Sequence, residues 1–467
     1  MSITSIESNV MLNIHNPATG ELIAEVPEAT EAIVAERAHA ARRAQPAWAA
    51  LPLAHRIEVM QRFRAGLDAE TEVLAQALTA EVGKPIRQSR NEIGGLLARI
   101  DFFLANVAST LEPESVFDEG GMREVISFDA LGVVANISAW NYPYFVGGNV
   151  FVPALLAGNA VLYKPSEFAT LTGLHIARLL HESGVPLDVF VPLVGGAAVG
   201  TALLEQRIDG LFFTGSHATG QRIAAAVGPR FIKLQLELGG KDPMYVAEDA
   251  DINAAAEALA DGAMYNTGQS CCSVERIYVH ERVHNTFVAA FVSTVNGFRL
   301  GDPASEDTYI GAITRAPQLD VLEAQVADAA AKGATLLTGG KRLADRPGNW
   351  FEPTVFSHVD HTMALMREES FGPIIGIQKV GGDAEALRLM NDTRYGLTAG
   401  VFTKDEARAT AILAKVNAGT VYWNCCDRVS PRLPWSGHGD SGVGLTLSTL
   451  GIQTFTRPRA WHLRQPA

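Results

Sequence analysis

The sequence predicts an α/β protein built from two doubly wound parallel-sheet domains and a small β arm. From residue 131 onward, short and almost wholly apolar strand patterns alternate with helical patterns, and a second such series begins near residue 243. That alternation is typical of parallel sheets covered by helices on both faces. The chain has 467 residues, of which 47% are hydrophobic, so it is too long for one ordinary core and can fill two.

The N-terminal part is predicted to be helical. Alanine and leucine recur on one face, and arginine and glutamate on the other, over residues 31–47, 54–82 and 86–109. Gly83 and Pro85 are typical of the end of the second helix. The segment that follows, residues 112–130, is extended and polar, which predicts a hairpin that leaves the globule.

The first sheet is predicted from apolar strand patterns at residues 131–137, 160–163, 189–194, 210–213 and 231–234. Helical patterns separate most of these strands, the clearest at residues 171–183. Ligands of such sheets bind in the crevice beyond the carboxyl ends of the strands. Polar motifs follow several of these predicted strands, so we expect the functional site in that crevice.

Composition disfavours several classes of function. The net charge of −13 and the pI of about 5.4 argue against nucleic acid. Residues 1–7 lack a basic segment followed by an apolar one, so no secretory signal is expected. The longest mostly apolar region, residues 150–163, is too short to cross a bilayer, so no membrane partner is expected.

The four cysteines fall in two adjacent pairs, Cys271-Cys272 and Cys425-Cys426. This is not a disulfide framework, and no histidine lies at metal-ligand spacing beside them. We therefore expect no metal and a reducing, cytoplasmic setting.

Two motifs in the first sheet carry side chains that could act on a ligand. In Ala139-Trp140-Asn141-Tyr142-Pro143, the Asn141 amide could donate to a developing oxyanion, although the segment is also typical of a plain turn. In Lys164-Pro165-Ser166-Glu167, Lys164 and Glu167 could bind the hydroxyls of a ribose, although a surface lysine is the commoner explanation.

Three further motifs are ambiguous in the same way. Thr214-Gly215-Ser216 follows a strand and opens a helix whose free N–H groups could face a pyrophosphate, but it lacks G-x-G-x-x-G. Glu237 precedes Gly239-Gly240 and could be a general base acting through water, or a solvated strand end. Glu369-Ser370-Phe371 could equally be a turn with one buried ring.

Cys271 follows a Gly-Gln turn between a helix predicted over 251–265 and a strand predicted over 276–279. A thiol on such a loop could be a nucleophile. An isolated cysteine is more often a small buried hydrophobe.

Taken together, the motifs resemble those of the aldehyde dehydrogenase superfamily, from about Asn16 to about Thr456. They occur in family order at family-like spacing: W-N-Y-P, K-P-S-E, F-T-G-S, E-L-G-G-K, G-Q-x-C, G-D-P at 301–303, P-T-V at 353–355 and E-x-F-G-P. One such match would be weak, and eight in order are specific.

The resemblance implies the roles of three residues. Cys271, rather than Cys272, would attack the aldehyde to give a thiohemiacetal and then a thioester. The Asn141 amide and the Cys271 backbone N–H would hold the oxyanion, and Glu237 would activate the water that hydrolyses the thioester. The product would be a carboxylic acid.

The resemblance also implies a bound NAD, with NADP possible. Lys164 and Glu167 would hold the adenosine ribose, and Glu167 would repel a 2′-phosphate, which favours NAD. The phosphates and nicotinamide would lie along Trp140, Thr214, Gly215 and Ser216. Glu369 would hold the nicotinamide ribose, with Phe371 packed beside it.

The implied domains are a Rossmann-like coenzyme-binding domain (residues 1–111 and 131–240) and a catalytic domain (241–447). An oligomerisation hairpin at 112–130 and a C-terminal strand within 448–467, from Gln453 onward, would pair subunits into a homodimer or homotetramer.

The implied substrate tunnel has mostly aromatic walls, which suits a medium-sized or aromatic aldehyde. Its predicted lining is Tyr142, Val146, Asn149, Tyr265, Ser270, Cys272, Cys426, Asp427 and Trp435. Asn149 and Asp427 could instead hold an amino or hydroxyl group, and the nearby Arg428 a carboxylate. The substrate itself is left open.

The chain departs from the family near its C-terminal end. Gly439, Leu445 and Thr446 replace the usual Lys, Arg and Glu, which leaves open how that loop is anchored. Three other functions compete with this one: a non-catalytic nucleotide-binding relative, a coenzyme-A-acylating enzyme, and a thiol hydrolase or acyltransferase without coenzyme. The presence of Glu237 favours hydrolysis over transfer to coenzyme A.

Overall fold

The structure is a computed structural model that describes residues 10–466. The segment on which the expectation of no secretory signal rests, residues 1–7, lies outside this range.

The α-helices follow one another in chain order as α1 (Glu31–Ala50), α2 (Leu53–Ala69), α3 (Thr71–Val82), α4 (Ile86–Thr110), α5 (Pro143–Leu156), α6 (Thr170–Glu182), α7 (Ala197–Glu205), α8 (His217–Val227), α9 (Ile252–Met264), α10 (His284–Asn296), α11 (Ala316–Ala331), α12 (Ala364–Arg367), α13 (Asp383–Met390), α14 (Glu406–Leu413) and α15 (Ser448–Gln453). The strands are β1 (Met11–His15), β2 (Leu22–Pro27), β3 (Glu114–Glu119), β4 (Met122–Ala130), β5 (Val133–Ile137), β6 (Ala160–Lys164), β7 (Phe190–Pro192), β8 (Gly210–Thr214), β9 (Lys233–Glu237), β10 (Asp242–Val246), β11 (Val274–His280), β12 (Thr335–Thr338), β13 (Thr354–Ser357), β14 (Ile374–Val380), β15 (Thr398–Phe402), β16 (Thr420–Trp423), β17 (Gly442–Val443) and β18 (Thr456–Arg464).

Two parallel-dominated sheets form the body of the protein, as predicted. The first has the order β17-β9-β8-β5-β6-β7, and only β17 runs antiparallel. The second has the order β12-β13-β14-β11-β10-β15-β16, and only β12 runs antiparallel. Strands β5, β6 and β8 are buried along their whole length, which explains their unbroken apolar sequences.

The helix predicted over residues 54–82 is two helices. The chain leaves helical geometry at Glu70, where α2 ends and α3 begins. The Glu70 carboxylate pairs with Arg178 of α6, so this turn is tied to a neighbouring helix. The apolar pattern continues across the turn, since both helices bury their leucines in one core, and the pattern therefore hides the break.

The third sheet is antiparallel, with the order β18-β4-β3, and contains the predicted hairpin. The C-terminal strand begins at Thr456 rather than at Gln453. Residues 448–453 form α15 instead, because burial of Gly451 and Ile452 against α4 favours a helical turn there.

Helix α4 is the central helix of the N-terminal part. By length and composition alone it is apolar enough to cross a membrane, a test that core helices also pass. Here it packs against α2, α3, α5 and α15. It carries Glu92 and Arg99, which are both almost completely buried inside the fold.

Candidate active site

The site lies between the two large sheets, which present opposite ends to it. Glu237 ends β9, and Asn141 follows β5, so the first sheet contributes carboxyl ends as predicted. Cys271 precedes β11, and Glu369 precedes β14, so the second sheet contributes amino ends. The expectation that the polar motifs lie at carboxyl ends is therefore wrong for Glu369, whereas Cys271 lies between a helix and a strand as predicted.

The turn before Cys271 is held by its own polar side chains. Asn266 and Thr267 both adopt left-handed backbone angles, with φ of 52° and 58°. The Asn266 amide donates to the Gln269 carbonyl at 3.0 Å, and the Gln269 amide donates back to the Asn266 carbonyl at 3.1 Å. Asn266 and Gln269 are both buried, so the two hydrogen bonds between them are shielded from water and fix the turn that carries the thiol.

Cys271 and Glu237 are in direct contact. The thiol Sγ lies 3.6 Å from Glu237 Oε1, and Thr214 Oγ1 donates to Glu237 Oε2 at 3.4 Å. Burial raises the pKa of Glu237 more than the hydrogen bonds from Trp435, Cys271 and Thr214 lower it. A carboxyl group in this position can accept a proton from the thiol or from a water molecule.

The Cys271 thiol is held in its protonated form in this arrangement. A hydrogen bond with Cys272 lowers the pKa of Cys271, but burial and the nearby carboxylates of Glu237, Asp242 and Glu369 outweigh it and raise the pKa. Glu237, whose Oε1 lies 3.6 Å from Sγ, can accept the thiol proton when the sulfur attacks.

Asn141 packs against the turn that carries the cysteine. Its amide Nδ2 donates to the Gln269 carbonyl at 3.1 Å, and its own carbonyl accepts the Asn266 amide, also at 3.1 Å. Gly240 packs closely against the same turn. Only glycine fits there, because a Cβ at that position would lie 2.7 Å from the Cys271 carbonyl oxygen. The Asn141 amide is thus a donor fixed against the turn that carries the thiol, where it can serve an oxyanion.

A buried ion pair behind Asn141 was not predicted. Lys84 Nζ donates to the Asn141 carbonyl at 2.7 Å and pairs with Glu92, whose other oxygen accepts the Tyr144 backbone N–H at 2.8 Å. Both side chains are 1% exposed or less. In the sequence, Lys84 stands beside Gly83 and Pro85 and reads only as part of a helix boundary.

A second buried network, also not predicted, holds the E-x-F-G-P segment. The Glu275 carboxylate accepts the Ser370 and Phe371 backbone N–H groups at 3.0 and 3.1 Å, and Lys241 bonds both Glu275 and the Ser370 hydroxyl. Gly240 N donates to Glu369 Oε1 at 3.1 Å. Burial and the nearby Glu275 raise the pKa of Glu369 to about 8.

Most of the predicted coenzyme residues lie at the carboxyl ends of strands in the first sheet. Lys164, which is buried, and the half-exposed Glu167 are 3.8 Å apart beyond β6. Gly215 N donates to the Glu237 carbonyl at 3.0 Å, and Ser216 is the N-cap of α8, with its hydroxyl exposed. Trp140 and Phe371 meet edge to face, with ring centroids 5.5 Å apart.

These residues fit a dinucleotide. A buried ammonium beside an accessible carboxylate suits ribose hydroxyls, and the first turn of α8 leaves backbone donors free for phosphate oxygens. Trp140 and Phe371, in contact with each other, offer apolar ring surface against which a nicotinamide could pack.

A cavity of about 290 Å³ leads to Cys271 and Glu237. Tyr142, Asn149, Tyr265, Asp427 and Trp435 all line it, as predicted, together with Val146 and Arg428. Its remaining walls, which carry no motif and were not predicted, are formed by Gly95, Ala98, Arg99, Phe145, Val429 and Pro431.

Three residues predicted to line the tunnel, Ser270, Cys272 and Cys426, lie behind its wall. Cys426 Sγ donates to the Ala258 carbonyl at 3.2 Å and packs in the core of the second sheet. Cys272 Sγ donates to Asp427 Oδ1 at 2.9 Å. Burial is the main cause that raises the pKa of Asp427 to about 7.

The C-terminal loop that departs from the family is anchored by Ser441. Its hydroxyl donates to the Gly239 carbonyl at 2.7 Å, and its carbonyl accepts the Leu238 N–H at 3.0 Å. Strand β17 then pairs with β9, with Gly442 opposite Glu237. The loop is therefore anchored to the strand that carries Glu237, although the Lys, Arg and Glu usual in the family are absent from it.

Among residues 10–466, no group of three or more His, Cys, Asp or Glu side chains could hold a metal ion.

Known proteins resemble this chain over nearly its whole length. The model of the aldehyde dehydrogenase family matches residues 4–461. A "putative succinate-semialdehyde dehydrogenase (NADP+)" of Mycolicibacterium smegmatis is 36% identical, covering 98% of this chain and 89% of that protein. A betaine aldehyde dehydrogenase of Brucella melitensis is 35% identical over 92% of this chain and 88% of its own length. The solved structure of an NAD-dependent aldehyde dehydrogenase from Sinorhizobium meliloti superimposes with a TM-score of 0.96 and 31% identity, covering 99% of this chain and 94% of that one.

Proposed function

The chain belongs to the aldehyde dehydrogenase family, and we propose that Cys271, Asn141 and Glu237 are its catalytic residues in the NAD(P)-dependent oxidation of an aldehyde to a carboxylic acid. The observation that carries this assignment is the contact of 3.6 Å between the Cys271 thiol and the Glu237 carboxyl inside the cavity.

The first step is covalent capture of the aldehyde. Glu237 takes the thiol proton, Cys271 Sγ bonds to the carbonyl carbon, and the carbonyl π electrons move to oxygen. The Cys271 backbone N–H and the Asn141 amide stabilise that oxyanion. One N–H of the Asn141 amide bonds the Gln269 carbonyl, and its second N–H remains to donate to the oxyanion. When bound, the nicotinamide coenzyme supplies the hydride acceptor that oxidises this thiohemiacetal to the thioester.

The second step is hydrolysis. Glu237 first releases the thiol proton to solvent. It then accepts a proton from a water molecule, and the resulting hydroxide attacks the thioester carbon. The bond from carbon to Cys271 Sγ breaks, Sγ takes that proton back from Glu237, and the acid leaves. The raised pKa of Glu237 suits this role, because a base must be able to hold the proton that it removes.

Coenzyme binding is assigned to residues at the carboxyl ends of the first sheet and to the segment before β14 of the second sheet. We propose that Lys164 and Glu167 hold the adenosine ribose, that Glu369 holds the nicotinamide ribose beside Phe371, and that the rest of the coenzyme lies along Trp140, Thr214, Gly215 and Ser216. The half-exposed Glu167 carboxylate repels a 2′-phosphate, which supports a preference for NAD. The named relatives include both an NADP enzyme and an NAD enzyme.

The names of the relatives suggest two very different substrates. Succinate semialdehyde carries a carboxylate, and betaine aldehyde carries a quaternary ammonium group. We propose that Tyr142, Asn149, Tyr265, Asp427 and Trp435 contact whichever aldehyde is bound.

We also propose a cytoplasmic setting, since all four cysteines are free thiols. A homodimer or homotetramer is supported by the third sheet, in which every residue of β3 and all but one of β18 are exposed.

The test is coenzyme reduction, followed at 340 nm, over a panel of neutral, carboxylated and cationic aldehydes with NAD and with NADP. We expect turnover with at least one aldehyde and a higher kcat/KM with NAD. A chain that binds coenzyme but reduces none with any aldehyde would be the non-catalytic relative. Strict dependence of turnover on coenzyme A would point to the acylating enzyme.

A further inference from the structure

Arg99 places a buried positive charge in the wall of the cavity. It lies on α4 and lines the same cavity as Cys271 and Glu237, yet only 4% of it is exposed. Burial lowers the pKa of Arg99 to about 10, which leaves the guanidinium charged at neutral pH.

This guanidinium has almost no partners within residues 10–466. Its one hydrogen bond runs from Nη1 to the Gly95 carbonyl at 3.3 Å, and its Nε is buried without any acceptor. No carboxylate of residues 10–466 hydrogen-bonds to it, and Glu92, Glu237 and Cys272 raise its pKa only through electrostatic interaction at longer range. Because buried arginine side chains are normally paired, this one lacks an anion.

An aromatic stack fixes the position of the guanidinium. The guanidinium carbon lies 3.7 Å from the centroid of the Phe145 ring, and that ring stacks on Tyr142 at an angle of 4°. Lys84 Nζ lies 3.8 Å from the centroid of the Tyr142 ring. Such stacking leaves the edge of a guanidinium free for two parallel hydrogen bonds, the geometry that a carboxylate matches.

Asn149 offers a second polar group in the same wall. It lies on α5, one turn beyond Phe145, lines the cavity and is 3% exposed. Its Oδ1 is buried without a hydrogen-bond partner. Because the two ends of an amide side chain can exchange places, Asn149 can turn its NH₂ toward an anion beside Arg99.

A cationic substrate would meet the opposite situation. Tyr142, Trp435 and Asp427 could surround a quaternary ammonium group. In a cavity of about 290 Å³, however, that cation would lie close to the Arg99 guanidinium and be repelled by it.

We propose that the substrate is an aldehyde that carries a carboxylate at the end remote from its carbonyl, and that Arg99, assisted by Asn149, binds this carboxylate. The inference rests on the proposed function and selects between the two substrate classes that it leaves open.

The first experiment uses the wild-type protein alone. Succinate semialdehyde and 4-carboxybenzaldehyde are each compared with their uncharged methyl esters, and betaine aldehyde is included as the cation. At least one carboxylated aldehyde is expected to have a kcat/KM about 100-fold above that of its ester, the effect of a buried charge-assisted pair. Equal values for acid and ester, or a preference for betaine aldehyde, would overturn the proposal while the aldehyde oxidation itself stands.

The second experiment removes the charge. Arg99→Gln should lose about 100-fold in kcat/KM for the carboxylated aldehyde, mainly through KM, and stay within about threefold for the ester. Arg99→Lys should recover part of the loss, because lysine restores the positive charge but not the two parallel N–H donors of a guanidinium. Arg87→Gln is the matched control, since Arg87 is an exposed arginine on the same helix.

Arg428 is the competing candidate, because it lines the cavity but is largely exposed and lies 3.8 Å from Asp261. If Arg428→Gln, and not Arg99→Gln, loses the preference for the acid over the ester, Arg99 is not the carboxylate site. If Arg99→Gln lowers kcat for acid and ester equally, its role is structural, and the proposal is also overturned.

Discussion

Cys271 reaches the cavity from the segment between α9 and β11, and Glu237 reaches it from the end of β9, whereas Arg99 and Asn149 reach it from the middle of helices α4 and α5. The first pair, with Asn141, forms what we call the junction. The second pair, with Tyr142 and Phe145, forms what we call the helix wall. The junction holds an acid and a thiol in contact, with an amide bonded to the turn that carries the thiol, and the helix wall holds a cation without an anionic partner among residues 10–466.

The difference indicates a division of labour. Backbone turns and buried hydrogen bonds fix the junction, so its geometry is set before any ligand arrives. The helix wall is incomplete by itself, because its guanidinium needs an anion. We expect changes at the junction to remove chemistry for every aldehyde, and changes in the helix wall to alter which aldehyde is used.

The largest effect is expected at the thiol. Cys271→Ser should lower turnover by a factor on the order of 10⁴ or more for every substrate, because the weaker nucleophile cannot form the thioester. Cys272→Ser is the matched control, since its Sγ contacts Asp427 rather than Glu237. Steady-state coenzyme reduction measures both, and a larger loss in Cys272→Ser would mean that the wrong thiol has been assigned.

The next effect is larger on hydrolysis than on capture of the aldehyde. Glu237→Gln keeps the volume of the side chain but cannot accept a proton from water, so steady-state turnover should fall by about 100-fold or more. A burst of reduced coenzyme close to one equivalent per active site should remain but form more slowly, because the thiol proton must then pass to water instead of to Glu237. Loss of the burst together with turnover would mean that capture of the aldehyde, and not hydrolysis, is the step that depends most on Glu237.

The junction could be predicted from the sequence, and much of the helix wall could not. Asn141, Glu237 and Cys271 each sit in a short motif because backbone turns allow few residue types at those positions. Arg99 stands in an ordinary amphipathic helix, where an arginine usually faces solvent, and only the packing of α4 on α5 turns it inward. The same holds for Lys84 and Glu92, which pair across a helix boundary without any motif.

In the fold as well, features that depend on local sequence could be predicted, and features that depend on tertiary contacts could not. Strands β5, β6 and β8 were predictable because burial on both faces demands unbroken apolar sequence. The break at Glu70 and the short helix α15 were not, because each depends on a tertiary contact, with Arg178 and with α4 respectively.

Lys84 joins the two regions, since it donates to the Asn141 carbonyl and lies over the Tyr142 ring. Lys84→Met leaves Glu92 buried without its counter-ion, which should cost about 3–5 kcal/mol of folding stability. The fall in the thermal unfolding midpoint measures this loss. The double variant Lys84→Met/Glu92→Leu should be more stable than the single one, and the absence of any recovery would mean that the pair is not the origin of the loss.

The smallest effect is a pH dependence confined to the helix-wall side of the cavity. Asp427 has a pKa of about 7 and lines the cavity with Arg99, while Arg428, Asp261 and Cys272 are the charged or titratable groups that act on it. Below pH 7 it is mostly neutral, and above pH 7 its negative charge repels a substrate carboxylate. The KM of a carboxylated aldehyde, divided by the KM of its methyl ester, should therefore rise about fivefold between pH 6 and pH 8.5.

Dividing by the ester removes the ionisation of Cys271 and Glu237 from this measurement, because both substrates depend equally on the junction. The substrate carboxylate, with an ordinary pKa near 4.5, stays ionised throughout. Asp427→Asn has the same shape and no charge, so its KM ratio should be flat over the same range. If the ratio instead rises unchanged in Asp427→Asn, the titrating group lies elsewhere, and if the wild-type ratio falls with pH, the ligand of the helix wall is not an anion.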